Sequence, residues 1–72
     1  MITTKQVQKA SSSNRRNGLY LVQRAGTIIG MIEKPYHSDI YRAQINGATF
    51  VTCSTKQQAI MAFEMKNMSS KQ

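Results

Sequence analysis

Between positions 19 and 53 the apolar residues recur mostly at every second position, which is the period of a β-strand rather than of a helix. Residues 19–24 and 27–33 are two runs of this type, and the dipeptide Ala25-Gly26 between them is a turn signal. Residues 34–39 follow as a loop, because Pro35 lacks the N–H group that a central strand requires. The pattern predicts a first antiparallel hairpin.

A two-residue turn at Ala25-Gly26 sets the register expected for this hairpin. Val22 is then expected to face Ile29, with Gly30 on the other side of the sheet, where it leaves room for a helix. The side turned away from the helix would carry an apolar group, Tyr20, Val22, Ile29 and Met31. Apolar surface of this size on a small domain indicates an interface, with a protein partner or with a second copy in a homodimer.

A second hairpin is predicted around Asn46-Gly47, because this dipeptide accepts positive φ at both central positions of a type I′ turn. In the simplest register Ala43 opposes Phe50, and Gln44 opposes Thr49. The face expected to meet a helix carries Tyr41, Ala43, Ile45 and Phe50. The opposite face carries Arg42, Gln44 and Thr49.

A helix is predicted after Thr55, whose hydroxyl can cap it while Gln58 reaches back, with Ser54 as the alternative cap. Residues at helical spacing form the stripe expected to be buried, namely Ala59, Ile60, Ala62 and Phe63. A second stripe lies on a neighbouring face and consists of Met61, Met65 and Met68. Such a stripe is typical either of additional core or of an adaptable partner surface.

These elements predict one α+β domain over residues 18–66, a small antiparallel sheet of three to four strands packed on one C-terminal helix. Residues 1–17 are polar and have little to bury, which predicts a mobile basic N-terminal arm. A short helix over residues 3–10 is the alternative for part of the arm. Residues 67–72 are expected to be a frayed C-terminal tail.

The net charge of the chain bears on which class of molecule it binds. The 72 residues carry a net charge of +7, and residues 1–17 hold Lys5, Lys9, Arg15 and Arg16 without any acidic residue. Basic side chains that neutralise phosphates release counterions, so this charge favours nucleic acid. A basic arm that only keeps the chain in solution is the alternative.

The inventory of reactive side chains argues against catalysis and against a cofactor or metal. His37 and Cys53 are single residues of their kinds, which leaves no four-ligand metal spacing, and no pair of carboxylates is placed for acid–base chemistry. No apolar run approaches the ~20 residues of a membrane-spanning helix, and residues 1–18 lack the apolar stretch of a secretion signal. We expect a non-enzymatic, cytoplasmic protein that does not act at a membrane.

The helix start resembles that of the plant ethylene-response-factor DNA-binding domain, which begins with the pattern Thr-x-Glu-Glu-Ala-Ala-x-Ala-Tyr. The matching residues here are Thr55-Lys56-Gln57-Gln58-Ala59-Ile60-Met61-Ala62-Phe63. The order of strands and helix is also similar to that of the amino-terminal arm-binding domain of phage tyrosine integrases. In the order of strands and helix the resemblance covers residues 19–63. In the identity of its residues it covers only the start of the helix. It implies a three-stranded sheet packed on a helix.

By this resemblance the exposed sheet face would read duplex DNA in the major groove. The implied readers are Arg24, Arg42, Gln44 and Thr49. The charge of the arm, which includes Arg15 and Arg16, separately predicts contacts with phosphates. Arginine and glutamine suit this role because they pair in bidentate fashion with guanine and adenine. The second hypothesis is a small phage-type accessory protein that binds and modulates a host protein. Its interface would be the apolar sheet face or the methionine edge, with Tyr20, Val22, Ile29, Met31, Met61 and Met65.

Overall fold

In the computed structural model the described residues, 2–69, form five antiparallel strands and one helix. The strands are β1 (Ile2–Gln8), β2 (Gly18–Arg24), β3 (Thr27–Lys34), β4 (Tyr41–Ile45) and β5 (Ala48–Cys53), and the helix is α1 (Lys56–Ser69). The strands lie in the sheet in chain order, so every connection joins neighbours. The α+β class predicted from the periodicity is confirmed.

The expectation of three to four strands is too low, because the segment expected to be a mobile arm contributes a fifth strand. Strand β1 pairs with β2 from Ile2 opposite Arg24 to Gln8 opposite Leu19, and Ile2 packs against the core. It forms a strand and not the alternative helix over residues 3–10. At the other end, α1 extends to Ser69, so residues 67–69 are helical where a frayed tail was expected. Residues 70–72 of that tail lie outside the described part of the chain.

The loop between β1 and β2 is a closed polar hairpin. The backbone N–H and C=O groups of Ser11 and Arg16 exchange two hydrogen bonds of 2.9 Å. The Ser11 hydroxyl also accepts a hydrogen bond from the Asn14 N–H at 3.4 Å. Arg15 adopts a left-handed backbone conformation, with φ of 53°. Local polar contacts therefore shape a segment that has almost nothing apolar to bury.

A β-bulge at Ile29 changes the register of the β2–β3 hairpin. Next to the turn the pairing is as predicted, with Arg24 opposite Thr27 and Gln23 opposite Ile28, but beyond the bulge Val22 lies opposite Gly30. One extra residue on β3 shifts the pairing by one position, so Gly30 and Ile32 still face the helix but pair with Val22 and Tyr20 and not with Leu21 and Leu19. Tyr20 therefore lies opposite Ile32 on the helix side, where the predicted register had placed Tyr20 and Val22 outward.

A second bulge, at Phe50, does the same in the β4–β5 hairpin. The type I′ turn is confirmed by φ of 54° at Asn46 and 81° at Gly47, and Gln44 pairs with Thr49 as predicted. The predicted pairing of Ala43 with Phe50 is wrong, since Ala43 lies opposite Val51. The faces of β4 are as predicted, and the change falls on β5, where Val51 and Cys53 pack against the core beyond the bulge.

The core lies between one face of the sheet and α1. Its buried side chains are Val22, Ile32, Ala43, Ala59 and Phe63. Gly30 is required there, since a Cβ atom at this position would overlap the Phe63 ring and the Gln44 carbonyl oxygen. The Phe63 ring packs edge-on against Phe50, with 5.1 Å between ring centroids. The predicted burial of Ala59 and Phe63 is confirmed.

The helix cap is also as predicted. The Thr55 hydroxyl accepts a hydrogen bond from the Gln58 N–H at 3.1 Å. The Gln58 side-chain oxygen accepts one from the Ser54 N–H at 3.2 Å and one from its hydroxyl at 3.0 Å. The Thr55 hydroxyl thus satisfies an amide group that the first turn of a helix leaves unpaired, and Gln58 holds Ser54, the residue before the cap, in place.

Candidate functional site

The face of the sheet opposite α1 is uncovered in the described part of the chain, and we call it the open face. Two rows of side chains cross it from β1 to β5. One row contains Lys5, Leu21, Met31, Gln44 and Thr49, and the next contains Gln8, Leu19, Glu33, Arg42 and Thr52. The open face is therefore apolar at its centre and polar along β4 and β5.

Glu33 is the hub of the polar contacts on this face. Its carboxylate accepts hydrogen bonds from the Gln44 amide at 3.1 Å and from the Asn17 amide at 2.8 Å. The Arg42 guanidinium lies 3.7 Å from the same carboxylate. Because the Glu33 side chain is only 21% exposed, these partners replace much of its hydration. The negative charge of Glu33 and the positive charge of Arg42 largely offset each other.

Asn17 connects this hub to two loops. Its side-chain oxygen accepts a hydrogen bond from the backbone N–H of Tyr36 at 3.1 Å, while its amide donates to Glu33. Its backbone oxygen accepts a hydrogen bond from the Gln8 amide at 2.8 Å. One residue therefore ties the β1–β2 loop, strand β3 and the β3–β4 loop together.

Of the four residues expected to read DNA, three share the open face. Arg42, Gln44 and Thr49 lie on adjacent strands, and the Gln44 amide donates to the Thr49 hydroxyl at 3.5 Å. Arg24 does not join them, because alternation along β2 places it on the same side as Tyr20 and Val22, which pack into the core. The Ile29 bulge accounts for this difference, since it turns that side of β2 toward the helix.

Basic side chains gather instead at the end of the sheet where the β1–β2 and β3–β4 loops lie side by side. We call this surface the basic end and define it by Lys9, Arg15, Arg16 and Lys34. The Asn17 side chain joins the two loops through the Tyr36 N–H, and Gly18 next to it lies between Ala10 and Lys34. The side chains of Lys9, Arg15 and Arg16 are exposed, while the Lys34 ammonium donates to the Ser38 carbonyl at 2.9 Å.

The residues expected to form a protein interface do not share one surface. Val22 is fully buried, and Tyr20 and Ile29 pack against the core, so the predicted outward orientation of Tyr20 and Val22 is wrong. Met31 lies on the open face opposite Leu21. Met61 and Met65 are 50% and 66% exposed on α1, whereas the Met68 side chain lies outside the described part.

Other chemistry is sparse in the described residues. They contain no group of three or more His, Cys, Asp or Glu side chains that could hold a metal ion. None of their helices has the length and apolar character needed to cross a membrane. His37 is exposed in the β3–β4 loop, where its ring meets Tyr36 edge-on at 4.9 Å between centroids.

Two organising residues, Asn17 and Glu33, were not among the predicted site residues. Nothing local marks them, since their roles come from partners up to 19 positions away in the chain. The available signal was that Glu33 is the first acidic residue of the chain, embedded in an otherwise apolar strand.

Comparison of the chain with protein-family models, curated proteins and solved structures produced no significant match.

Proposed function

We propose that the protein binds nucleic acid without catalysis, and that the basic end makes the main contacts, with phosphate groups. The observation that carries the proposal is the distribution of charge. Five basic residues precede the first acidic residue, Glu33, and three of them are exposed on the β1–β2 loop. The loop is closed by the Ser11–Arg16 bridge, so Arg15 and Arg16 project from a defined hairpin and less chain entropy is lost on binding.

Phosphate contact is favoured over base reading by the contacts of the open face. Arg42 and Gln44 both interact with Glu33, and base reading would require at least one of these partnerships to break. An arginine whose charge is already offset also attracts the phosphate backbone less than the free guanidinium groups of Arg15 and Arg16. In this proposal the open face positions the protein on the nucleic acid, and the basic end provides the binding affinity.

Duplex is favoured over single-stranded nucleic acid. Single strands are held without sequence preference by aromatic rings on which bases stack. The two rows that cross the open face of the described sheet contain no aromatic residue, and Tyr20, Tyr41, Phe50 and Phe63 pack on the helix side. The resemblance of the helix start to duplex-binding families points the same way.

A titration with labelled short DNA and RNA duplexes, and with the corresponding single strands, tests the proposal at about 50 mM salt. We expect saturable binding that is tighter for duplex. The variant Arg15→Gln with Arg16→Gln should weaken it about 10-fold, since two phosphate contacts are lost. The matched control, Lys56→Gln with Lys66→Gln, removes the same charge from α1 and should change affinity less than about 3-fold.

Two results would refute the proposal. One is the absence of saturable binding to every nucleic acid at low salt. The other is an equal loss of affinity in the loop and helix variants, which would mean that only net charge matters and that the basic end is not a site.

A further inference from the structure

A cleft separates the tips of the β2–β3 and β4–β5 hairpins. Strand β3 pairs with β2 as far as Thr27, but with β4 only from Met31 to Glu33. Residues 27–30 therefore pair with no strand on the side away from β2 among the described residues, and Gly30, next to the paired segment, lies beside the Gln44 carbonyl of β4. A cavity of about 270 Å³ occupies the gap, lined by Leu21, Ile28 and Met31 on one wall and Gln44, Asn46 and Gly47 on the other.

The wall formed by β3 is an unprotected strand edge. Ile28 is 57% exposed there, beside backbone groups that are free to pair. Folded proteins usually protect such edges with charged residues, proline or a covering element. The outer strand β1 follows this rule, since the exposed Lys5 lies at its middle. The apolar edge at residues 27–30 is left without this protection.

We propose that this cleft binds an extended, acidic peptide segment of a partner protein, which adds as a strand to β3 along residues 27–30. The peptide would continue the line of β4, which turns away at Asn46-Gly47, and would place one aliphatic side chain in the cavity between Leu21, Ile28 and Met31. Strand addition of this kind obtains affinity from main-chain hydrogen bonds and specificity from side-chain pockets. The cavity of about 270 Å³ has room for an aliphatic side chain.

The positive charge of the protein favours an acidic peptide as the partner that binds in the cleft. The chain carries a net charge of +7, and no acidic residue precedes Glu33. Arg24 lies at the tip of the same hairpin, on the helix side of β2. Glu33 is at the far end of β3, where Arg42, Gln44 and Asn17 surround its carboxylate. A second copy carries the same net charge of +7, so charge opposes self-association and favours an acidic strand.

The cleft lies at the opposite end of the sheet from the basic end. It is bounded by the turns at Ala25-Gly26 and Asn46-Gly47, whereas Lys9, Arg15 and Arg16 belong to the β1–β2 loop that precedes Gly18. Peptide and nucleic acid can therefore be held together by one molecule, and peptide binding stands without the nucleic-acid proposal.

The test uses the whole protein and a synthetic peptide with four aliphatic β-branched residues flanked by two aspartates on each side. We expect calorimetric titration to give saturable binding, and NMR to show that amides of residues 27–30 exchange more slowly with solvent in the complex. Ile28→Asp should weaken binding about 10-fold to 100-fold, through lost apolar contact and added repulsion. The matched control, Val7→Asp, makes the same change at a residue that is 48% exposed on β1 and should leave affinity within about 3-fold.

Four outcomes would overturn the proposal. They are no binding at about 1 mM peptide, equal effects of the Ile28 and Val7 variants, equal affinity for a peptide with lysines in place of the aspartates, and undiminished affinity for a peptide whose alternate amides are N-methylated. Light scattering tests whether a second copy of the protein occupies the cleft. A free protein that is dimeric, and that Ile28→Asp makes monomeric, would assign the cleft to a second copy and overturn the peptide assignment.

Discussion

The amide of Asn17 donates a 2.8 Å hydrogen bond to the carboxylate of Glu33, across 16 positions of sequence. Asn17 ends the basic loop and Glu33 lies near the end of β3, so this bond holds the loop against the sheet. The same carboxylate meets Arg42 and Gln44 on β4. Asn17 and Glu33 therefore add a side-chain connection between the basic end and the open face to the strand pairing of β1, β2 and β3.

Replacing Asn17→Ala should lower the free energy of unfolding by about 1–2 kcal/mol, because Glu33 loses a donor and the Tyr36 N–H loses its acceptor in a partly buried site. Urea denaturation measures the difference. Asn14→Ala is the matched control, since Asn14 is exposed and only its backbone N–H makes a described bond. A change of less than about 0.5 kcal/mol for Asn17→Ala would mean that the network contributes little.

The turn at Ala25-Gly26 should be open to improvement. Ala25 has φ of 51°, a left-handed conformation that costs a non-glycine residue about 1 kcal/mol and that asparagine tolerates better. Ala25→Asn would copy the Asn46-Gly47 turn of the second hairpin and should raise the free energy of unfolding by about 0.5–1 kcal/mol. Ala48→Asn, at an exposed strand position without positive φ, should bring no gain. Thermal and urea unfolding of both variants measure the change in the free energy of unfolding.

Gly30→Ala should destabilise the fold by about 1–3 kcal/mol or more, because the added Cβ atom meets the Phe63 ring and the Gln44 backbone. Gly18→Ala is the control: a Cβ atom there meets Ala10 at 3.5 Å, an ordinary contact. Phe63→Leu combined with Gly30→Ala should recover part of the loss if the aromatic ring is the obstacle. Equal stability of the Gly30 and Gly18 variants would show that the helix adjusts freely.

If the basic end binds duplex phosphates, the dependence of affinity on salt should report it. Removing Arg15 and Arg16 together should reduce the slope of log K against log salt by about 1.8, the value for two lost contacts. The helix variant that replaces Lys56 and Lys66 should leave the slope nearly unchanged. Titrations at several salt concentrations measure both slopes, and identical slopes in all three proteins would contradict the assignment of these arginines.

The sequence predicted correctly those features that depend on residues close together in the chain. Asn46-Gly47 determined its turn, Thr55 and Gln58 determined the start of the helix, and the spacing of Ala59 and Phe63 determined its buried side. In each hairpin the residue pairs next to the turn were also predictable, because a two-residue turn sets the first contacts of both strands.

The bulges at Ile29 and Phe50 were not predictable in this way. An apolar run such as residues 27–32 offers acceptable side chains in either register, and the choice depends on what the helix brings to the sheet. Gly30 faces the helix in either register, so the bulge at Ile29 changes which side of β2, and not which side of β3, meets the core. Residues 19–22 are apolar at every position, so nothing local in the sequence told Tyr20 and Val22 from Leu19 and Leu21 as the inward pair.

By itself the sequence determined the class of fold, the turns, the helix and the excess of positive charge, since each follows from residues close together in the chain. Only the tertiary structure decided that residues 2–8 form a strand, that Glu33 offsets Arg42, and that Asn17 ties the loop that carries Arg15 and Arg16 to the end of β3. The physical reason is that edge pairing, charge compensation and register draw their free energy from partners distant in sequence. No local pattern encodes those partners.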